Sequence, residues 1–186
     1  MIAGYRQRGF TIVELLIVIV VIAILAAITV VAYNGIQTRA ENTKTVQGVA
    51  QYVKAIRGYA ALKGNYPIET AFPCLGPSGT YCARRSGTAT TCTASGNDGA
   101  TATTIGFDAA MKEIMSGPLP ELSSQILNCS GNTYSGGYYR PSTGTTATVV
   151  FFLRGDQSCS GIGGIQSATK MQQEDMTRCV ATLPSP

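Results

Sequence analysis

The chain contains no histidine and no tryptophan, and only 13% of its 186 residues carry a charge. The absence of histidine removes the side chain that most often acts as a general base near neutral pH, and it excludes Ser-His and Cys-His nucleophile arrangements. The acidic residues beyond position 65 show no spacing typical of an acid/base pair, and no phosphate-binding loop motif is present. We therefore predict that the protein is not an enzyme and binds no cofactor.

The sequence also lacks the features of a metal site or of a nucleic-acid-binding surface. Its six cysteines form no C-x-x-C pair, and without histidine they do not match a zinc site. The formal net charge is only +4, which is too small to indicate an electrostatic surface for nucleic acid. We expect no metal and, on charge alone, no nucleic-acid partner.

A long apolar run extends from Phe10 to Tyr33. A helix rises about 1.5 Å per residue, so the run matches a hydrocarbon core of about 30 Å. Many of its residues are β-branched and favour strands, but an isolated strand in lipid would leave its backbone polar groups unpaired. We therefore predict a membrane-spanning helix over residues 10–33. The basic residues before it should stay in the cytoplasm, which places the rest of the chain outside.

Glu14 lies inside this run, although a carboxylate at the bilayer centre costs about 2.5 to 3.5 kcal/mol. Such a charge needs a partner. Phe10 is four residues earlier, on the same face of a helix, and cleavage after Gly9 would give Phe10 a new ammonium group within reach of Glu14. The acid would also lie favourably at the positive end of the helix dipole.

Two simpler interpretations of this stretch remain open. A secretory signal peptide would explain the basic start, but its apolar segment would be shorter, would lack an acid and would end at a small-x-small cleavage site. A plain single-span anchor would explain the run without a role for Glu14. Ala23 and Ala27 form a small-xxx-small pair that would let a second helix approach closely, although alanine is common in membrane segments.

The stretch from Gly9 to Ile19, GFTIVELLIVI, resembles the N-terminal methylation motif of type IV prepilins and pseudopilins. The resemblance implies that a membrane prepilin peptidase cuts between Gly9 and Phe10, and that the new Phe10 amine is methylated. It also implies that Glu14 pairs with the Phe10 amine of a neighbouring subunit in a filament. The short basic leader is similar to that of the type IVa group.

On this resemblance we expect a structural subunit of a type IV pilus, held in the cytoplasmic membrane as a single-pass precursor and found in an extracellular filament after assembly. The implied partners are copies of the chain, other pilins, the prepilin peptidase and the pilus assembly platform. A minor pilin or a pseudopilin of a type II secretion or DNA-uptake system is the closest alternative, and nucleic acid would be a partner only in DNA uptake. A membrane-anchored adhesive or binding module is an alternative of a different class.

The expected fold is α+β, with a long N-terminal helical spine packed against a small antiparallel β-sheet head that contains disulfides. Residues 1–9 form the leader, 10–33 the membrane half of the spine, 34–64 its amphipathic half, and 65–186 the head. Gly64 marks the predicted end of the helix.

The amphipathic half is predicted from apolar and small residues that recur at three- and four-residue steps from Ile36 onward. Many type IV pilins carry a proline at the place that matches Val31, and this chain lacks it. Because glycine within a helix invites bending, we expect Asn34 and Gly35 to supply helix flexibility there, with a simple marker of the membrane boundary as the alternative.

The six cysteines all lie beyond the membrane segment. An even number of cysteines in a small exported domain indicates disulfides, but six thiols allow many connectivities. The resemblance to pilins implies a bridge between Cys159 and Cys179 that closes a C-terminal loop, worth roughly 3 kcal/mol. The partners of the remaining four cysteines stay open: Cys74, Cys82, Cys92 and Cys129.

Smaller elements of the head are also predicted from local patterns. In chain order they are a hairpin over 80–84 and 88–93, a helix over 108–116 capped by Asp108, a turn over 119–127, a glycine-rich loop over 128–139, a central strand over 145–154 packed on the spine, a helix over 168–174 and a strand over 176–183. Tyr134, Tyr138 and Tyr139 are expected to be half-buried in the sheet, with an adhesive surface patch as the alternative.

Overall fold

The architecture was analysed in a computed structural model. It describes residues 9–68, 72–76, 82–84, 105–129, 132–141, 146–160, 162–163, 165 and 168–186. The chain forms two compact units, Met1–Arg39 and Ala40–Pro186. Helix α1, Ile12–Lys63, contributes residues to both.

In the first unit, α1 is a helix with an uncovered apolar surface. The large apolar side chains between Ile12 and Val30 are 47% to 83% exposed. The helix is long and apolar enough to cross a membrane by length and composition. The predicted spine is therefore confirmed as a helix, and it starts two residues later than expected. It continues through Asn34 and Gly35 without interruption.

In the second unit, one face of α1 packs against a sheet. The buried face includes Thr45, Val49, Tyr52, Val53, Ile56 and Ala60. Burial thus begins later than the sequence pattern predicts, because Ile36 is exposed and Thr43 lies on the solvent side. The helix ends where it was expected to end: the Gly64 N–H donates to the Ala60 carbonyl at 2.8 Å, and Gly64 has a φ of 77°.

The main sheet has four antiparallel strands in the order β4-β5-β7-β6. Their bounds are Gly137–Pro141 for β4, Ala147–Arg154 for β5, Ala168–Gln173 for β6 and Met176–Leu183 for β7. Strand β5 lies in the interior of the sheet, as predicted from its apolar residues on both faces. Its residues Val149 and Phe151 pack in the same core as α1, while Val150 and Phe152 point to the opposite core.

A second, smaller sheet accounts for the opposite core. It has the order β1-β3-β2, with Ala83–Arg84 as β1, Leu127–Cys129 as β2 and Asn132–Tyr134 as β3. The second core contains Cys74, Cys82, Cys129, Leu127, Tyr134, Tyr138, Val150, Phe152 and Met176. The main sheet is therefore covered on both faces, which agrees with the predicted α+β class.

The helix of the head differs from its prediction. Helix α2 is Ile105–Ile114, so it begins three residues before the predicted start. Asp108 consequently lies in its first turn and not at the cap. The buried side chains of Phe107 and Met111 hold α2 against the core of α1, and this packing sets the start of the helix. Residues 119–126 form neither a helix nor a strand nor a turn, so the predicted turn there is wrong.

Two further predictions of the head are wrong. Residues 128–139 were expected to form a loop, but they contain the end of β2, all of β3 and the start of β4. Residues 168–173 were expected to be helical and instead form edge strand β6, paired with β7 along its whole length. The six-residue ladder overrides the weak helix propensity of this segment.

The predicted hairpin and the tyrosines also need correction. Strand β1 pairs with β3, and the expected partner segment 88–93 lies outside the described residues. Tyr134, Tyr138 and Tyr139 are sheet residues as expected, but they are fully buried, at 4%, 0% and 0% exposure. They therefore form no adhesive patch on this head.

Disulfides lie within both cores of the head. Cys159 and Cys179 are bonded, which confirms that prediction, and Cys74 is bonded to Cys82. Cys129 is also disulfide-bonded. Cys92 lies outside the described residues.

Candidate functional site

The start of α1 is built as a reciprocal cap between Thr11 and Glu14. The Thr11 backbone N–H and the Thr11 hydroxyl both donate to Glu14 Oε2, each at 2.8 Å. In return, the Glu14 N–H donates to Thr11 Oγ1 at 3.2 Å. This is the capping-box arrangement, which satisfies two backbone donors that the first turn of a helix otherwise leaves unpaired.

The cap leaves one oxygen of the Glu14 carboxylate available. Both Thr11 donors bind Oε2, and no hydrogen bond within the described part of the chain reaches Oε1. An ionised carboxylate has about four lone-pair sites, so Oε1 can still accept a strong donor such as an ammonium group. The cap also holds the carboxylate at the positive end of the helix dipole.

Gly9 and Phe10 precede the helix, and this changes the relationship expected between Phe10 and Glu14. The helix begins at Ile12, so Phe10 does not share a helix face with Glu14 within one chain. The Phe10 side chain is 83% exposed. Within the chain, Glu14 is bound by Thr11. The helix does not hold the Phe10 amine of the same chain beside Glu14, because Phe10 precedes the helix.

The remaining N-terminal site residues lie along the exposed helix. Ala23 and Ala27 are exposed, as are Asn34 and Gly35. The Thr29 hydroxyl donates to the Ala26 carbonyl at 2.9 Å, so this polar group is satisfied within the helix. Apart from Glu14, the part of the helix between Ile12 and Val30 therefore presents an apolar surface that suits lipid or other helices.

The head contains a buried acid that the sequence analysis placed wrongly at a helix cap. Asp108 is 6% exposed, and burial raises the pKa of its carboxyl, while the Lys112 charge opposes the shift. Tyr52 stacks on Phe107 with ring centroids 6.3 Å apart. Burial raises the pKa of Tyr52, the Asp108 charge raises it further, and the Gly76 backbone opposes both. Tyr52 and Phe107 are both fully buried, and they bring α1 and α2 together in the core.

We also searched the described residues for a possible metal site. Within 9–68 and the described parts of the head, no three His, Cys, Asp or Glu side chains are grouped to hold a metal ion.

Two residues of structural importance were not predicted from the sequence. Thr11 was not predicted as a partner of Glu14, although the spacing Thr-x-x-Glu is a recognisable capping-box signal. The second residue is Asn42, whose buried amide binds the backbone of β5. A polar residue in an amphipathic helix gives no sequence signal for a contact with a distant strand.

One comparison with known proteins concerns the same N-terminal region. A family model described as the prokaryotic N-terminal methylation motif matches residues 4–30. The chain is 35% identical over 65 residues to a type II secretion system core protein G of Pectobacterium carotovorum subsp. carotovorum. It is 37% identical over 65 residues to fimbrial protein EcpC of Eikenella corrodens, and 37% identical over 67 residues to a fimbrial protein of Pseudomonas aeruginosa.

These matches cover 35% or 36% of this chain and 42% or 43% of each relative. No solved structure matches the chain. The family model includes Gly9, Phe10, Thr11 and Glu14, the residues at the start of α1. The chain therefore carries the prokaryotic N-terminal methylation motif, and over 65 to 67 residues it is similar to fimbrial and secretion-system proteins.

Proposed function

We propose that this chain is a structural subunit of a type IV pilus filament, cleaved after Gly9 and assembled through α1. The observation that carries the proposal is Glu14, which is capped by its own Thr11 and keeps one carboxylate oxygen open at the start of an exposed apolar helix. In the filament, Oε1 of Glu14 accepts a hydrogen bond from the methylated Phe10 amine of a neighbouring copy. The names of the fimbrial relatives support a structural role and not a catalytic one.

Charge pairing decides the register of this assembly. Lipid tails are as apolar as the side chains of α1, so apolar contact alone gives helices little preference for one offset over another. An unpaired carboxylate at membrane depth costs about 2.5 to 3.5 kcal/mol. Pairing it with an ammonium group offsets part of that cost, and an offset that separates the two charges is strongly unfavourable. Copies of α1 thus align where Glu14 meets Phe10. Ala23 and Ala27 allow close approach of the helices along the same contact.

The proposed location follows from the same helix. The precursor spans the cytoplasmic membrane through residues 10–33, with the head outside, and waits there for the prepilin peptidase and the assembly platform. After cleavage the exposed helix exchanges lipid for other copies of α1. The one helix of the described chain that is apolar and long enough to span a membrane supports this location.

The proposal is tested first by the mature N-terminus. Mass spectrometry of subunits from sheared filaments should find a chain that begins with N-methylated Phe10. A mature chain that begins at any other residue would overturn the proposal. Gly9→Val should leave the uncleaved precursor in the membrane, because the peptidase site then carries a branched side chain.

Glu14 is tested by two substitutions with a matched control. Glu14→Leu and Glu14→Gln should each abolish filaments in the sheared fraction while the subunit remains in the membrane, since neither side chain can pair with an ammonium group as an ion. Glu41→Gln removes a carboxylate from the same helix beyond the membrane segment and should assemble normally. If Glu14→Leu assembles as well as the unchanged chain, the pairing does not exist. If the chain is instead a membrane-anchored binding module, Glu14→Leu should leave its binding unchanged.

A pseudopilin is a second candidate, which one specific observation favours. The type II secretion system core protein G of Pectobacterium carotovorum subsp. carotovorum is similar to this chain over 65 residues. The two candidates share cleavage after Gly9 and the pairing of Glu14, so those tests do not separate them. The amount of subunit in sheared surface filaments does: a major pilin dominates that fraction, whereas a minor pilin or pseudopilin is scarce there.

A further inference from the structure

A groove lies on α1 in the second unit, outside the buried face. Its volume is about 650 Å³, and it is lined by Ala50, Gln51, Lys54, Arg57, Gly58 and Gly163. One wall is Gly163, whose backbone approaches α1 so closely that a Cβ there would meet the Ala50 carbonyl oxygen at 3.2 Å. Gly163 has a φ of 56°, so the wall is set by a backbone conformation that glycine adopts easily.

The lining of the groove includes three small residues and two cations. Lys54 and Arg57 are three residues apart and therefore neighbours on the helix surface. Within the described residues, neither forms an ion pair with a carboxylate, whereas Lys44 and Lys63 on the same helix pair with Glu121 and Glu113. The groove thus suits a protruding acidic segment.

The chain carries such a segment at the turn between β6 and β7. Glu174 and Asp175 form this turn, and both are exposed. Glu174 has a φ of 48°, which is typical of a tight two-residue turn that projects from the end of a hairpin. Asp175 has a carboxylate 74% exposed and 3.9 Å from Arg154, a solvent-screened pair that is easily exchanged for another.

The turn and the groove lie at different heights along α1. The Asp175 carbonyl accepts the Gly155 N–H at 2.8 Å, and the backbone of the adjacent Arg154 is bound by Asn42. The turn is therefore level with Asn42. Lys54 follows Asn42 by 12 residues, which is about 18 Å along the helix, so the turn cannot occupy the groove of its own chain.

We propose that the groove receives the Glu174-Asp175 turn of a second copy of this chain, shifted about 20 Å along the helix axis. The two carboxylates match the two cations in number, and the convex turn matches the concave groove. The contact joins two different surfaces of the same chain, and each copy is shifted along the helix axis relative to the one before. Because of that shift the contact cannot close into a ring, and it repeats from copy to copy as an open helical array. The inference rests on the proposed filament and adds to it a contact between heads, separate from the pairing of Glu14 with Phe10.

Charge reversal tests the contact in cells that assemble the full-length chain. The groove variant, Lys54→Glu with Arg57→Glu, and the turn variant, Glu174→Lys with Asp175→Lys, should each lower the subunit in sheared filaments about tenfold or more, because every copy loses the contact on both sides. The combination of all four substitutions should restore assembly. Gln47→Glu also introduces an acid at an exposed position of the same helix, outside the groove, and serves as the control.

A photo-crosslink identifies the occupant directly. A photoreactive phenylalanine analogue in place of Gln51 should link two copies in filaments. Trypsin cuts after Lys170 and Arg178, so the linked peptide should be Met171–Arg178, which contains both acids. A link to any other peptide overturns the inference, and so does normal assembly of either reversed variant or a failure of the fourfold variant to recover.

The same experiment separates this inference from the proposed function. If the unchanged chain assembles and the reversed variants assemble equally well, only the contact between heads is wrong. If the unchanged chain is absent from filaments, the proposed function itself fails. Protease resistance and disulfide content of each variant establish that its head is folded, which is expected because all four substituted side chains are exposed.

Discussion

The side-chain amide of Asn42 binds the backbone of Arg154 through two hydrogen bonds. Its Nδ2 donates to the Arg154 carbonyl at 3.0 Å, and its Oδ1 accepts the Arg154 N–H at 2.9 Å. Asn42 therefore continues the backbone pairing of β5 from the side of α1. It joins the helix to the end of the central strand, 112 residues away in sequence.

Asn42→Ala should lower the free energy of unfolding by about 2–3 kcal/mol, because two hydrogen bonds are lost and the Arg154 backbone groups are left without partners. Urea unfolding of the full chain in detergent micelles measures this change. Gln47→Ala, an exposed position on the same helix, should change stability by less than about 0.5 kcal/mol. Equal effects at the two positions would show that the amide contributes no more than a surface residue.

Thr11→Val should weaken filament assembly by less than Glu14→Leu does. The valine keeps the shape of threonine but removes the hydroxyl that donates to Glu14 Oε2 and accepts the Glu14 N–H, so the helix loses a cap worth about 1 kcal/mol. The carboxylate remains and can still pair with a neighbour. The yield of sheared filaments measures the effect. Thr29→Val should assemble normally, because the Thr29 hydroxyl donates to the Ala26 carbonyl of its own helix.

Asp108→Asn should stabilise the head more at pH 7 than near pH 4. Burial raises the pKa of the Asp108 carboxyl above its usual value of 3.8, so the folded head holds this proton to a higher pH than the unfolded chain does. Stability therefore falls as the pH rises from 3.8 through the folded pKa, and asparagine abolishes that fall. Within the described residues, Oδ1 of Asp108 also has no hydrogen-bond partner.

Urea midpoints of Asp108→Asn and of the unchanged chain, measured at both pH values, test this prediction. Asp156→Asn, at an exposed carboxylate that pairs with Lys170, is the control. A difference between Asp108→Asn and the unchanged chain that does not vary with pH would contradict the raised pKa.

Removal of the Cys159–Cys179 bridge should destabilise the head more than removal of the Cys74–Cys82 bridge. The bridges span 20 and 8 residues, and in the chain-entropy model the longer loop contributes about 0.8 kcal/mol more. Paired Cys→Ser substitutions and urea unfolding compare them. Peptide mapping without reductant should recover both bridges and link Cys129 to Cys92, the cysteine that the sequence leaves for it.

Gly35→Ala should raise the stability of α1 and reduce filament yield. Beyond the backbone of the helix itself, no described residue comes within 4 Å of a Cβ at this position, so alanine adds helix propensity of about 1 kcal/mol without a clash. If helix flexibility at Asn34 and Gly35 serves assembly, the stiffer helix assembles less well. Circular dichroism and sheared filament yield measure the two effects, and Gln37→Ala is the control. Normal filament yield in Gly35→Ala would leave Gly35 as a simple boundary residue.

The N-terminal third of this protein is determined by its sequence. The length of the apolar run, the acid at Glu14 and the glycine before Phe10 depend on local chemistry and on the solvent around a single helix, so they can be read without tertiary contacts. The end of α1 at Gly64 and the buried strand at 147–154 were predicted for the same reason: their signals lie within a few residues of each other.

The head was decided by tertiary structure. Segment 168–173 has helical composition but pairs with β7. Residues 128–139 have the composition of a loop, but in the fold they contain strands of both sheets, and their tyrosines are buried. The face of α1 that packs begins at Asn42 because β5 ends beside it, which no periodicity in the helix records. The height of the acidic turn relative to Lys54 and Arg57 likewise depends on strand register. Such relations join residues far apart in the chain, and their energies appear only when the core has formed.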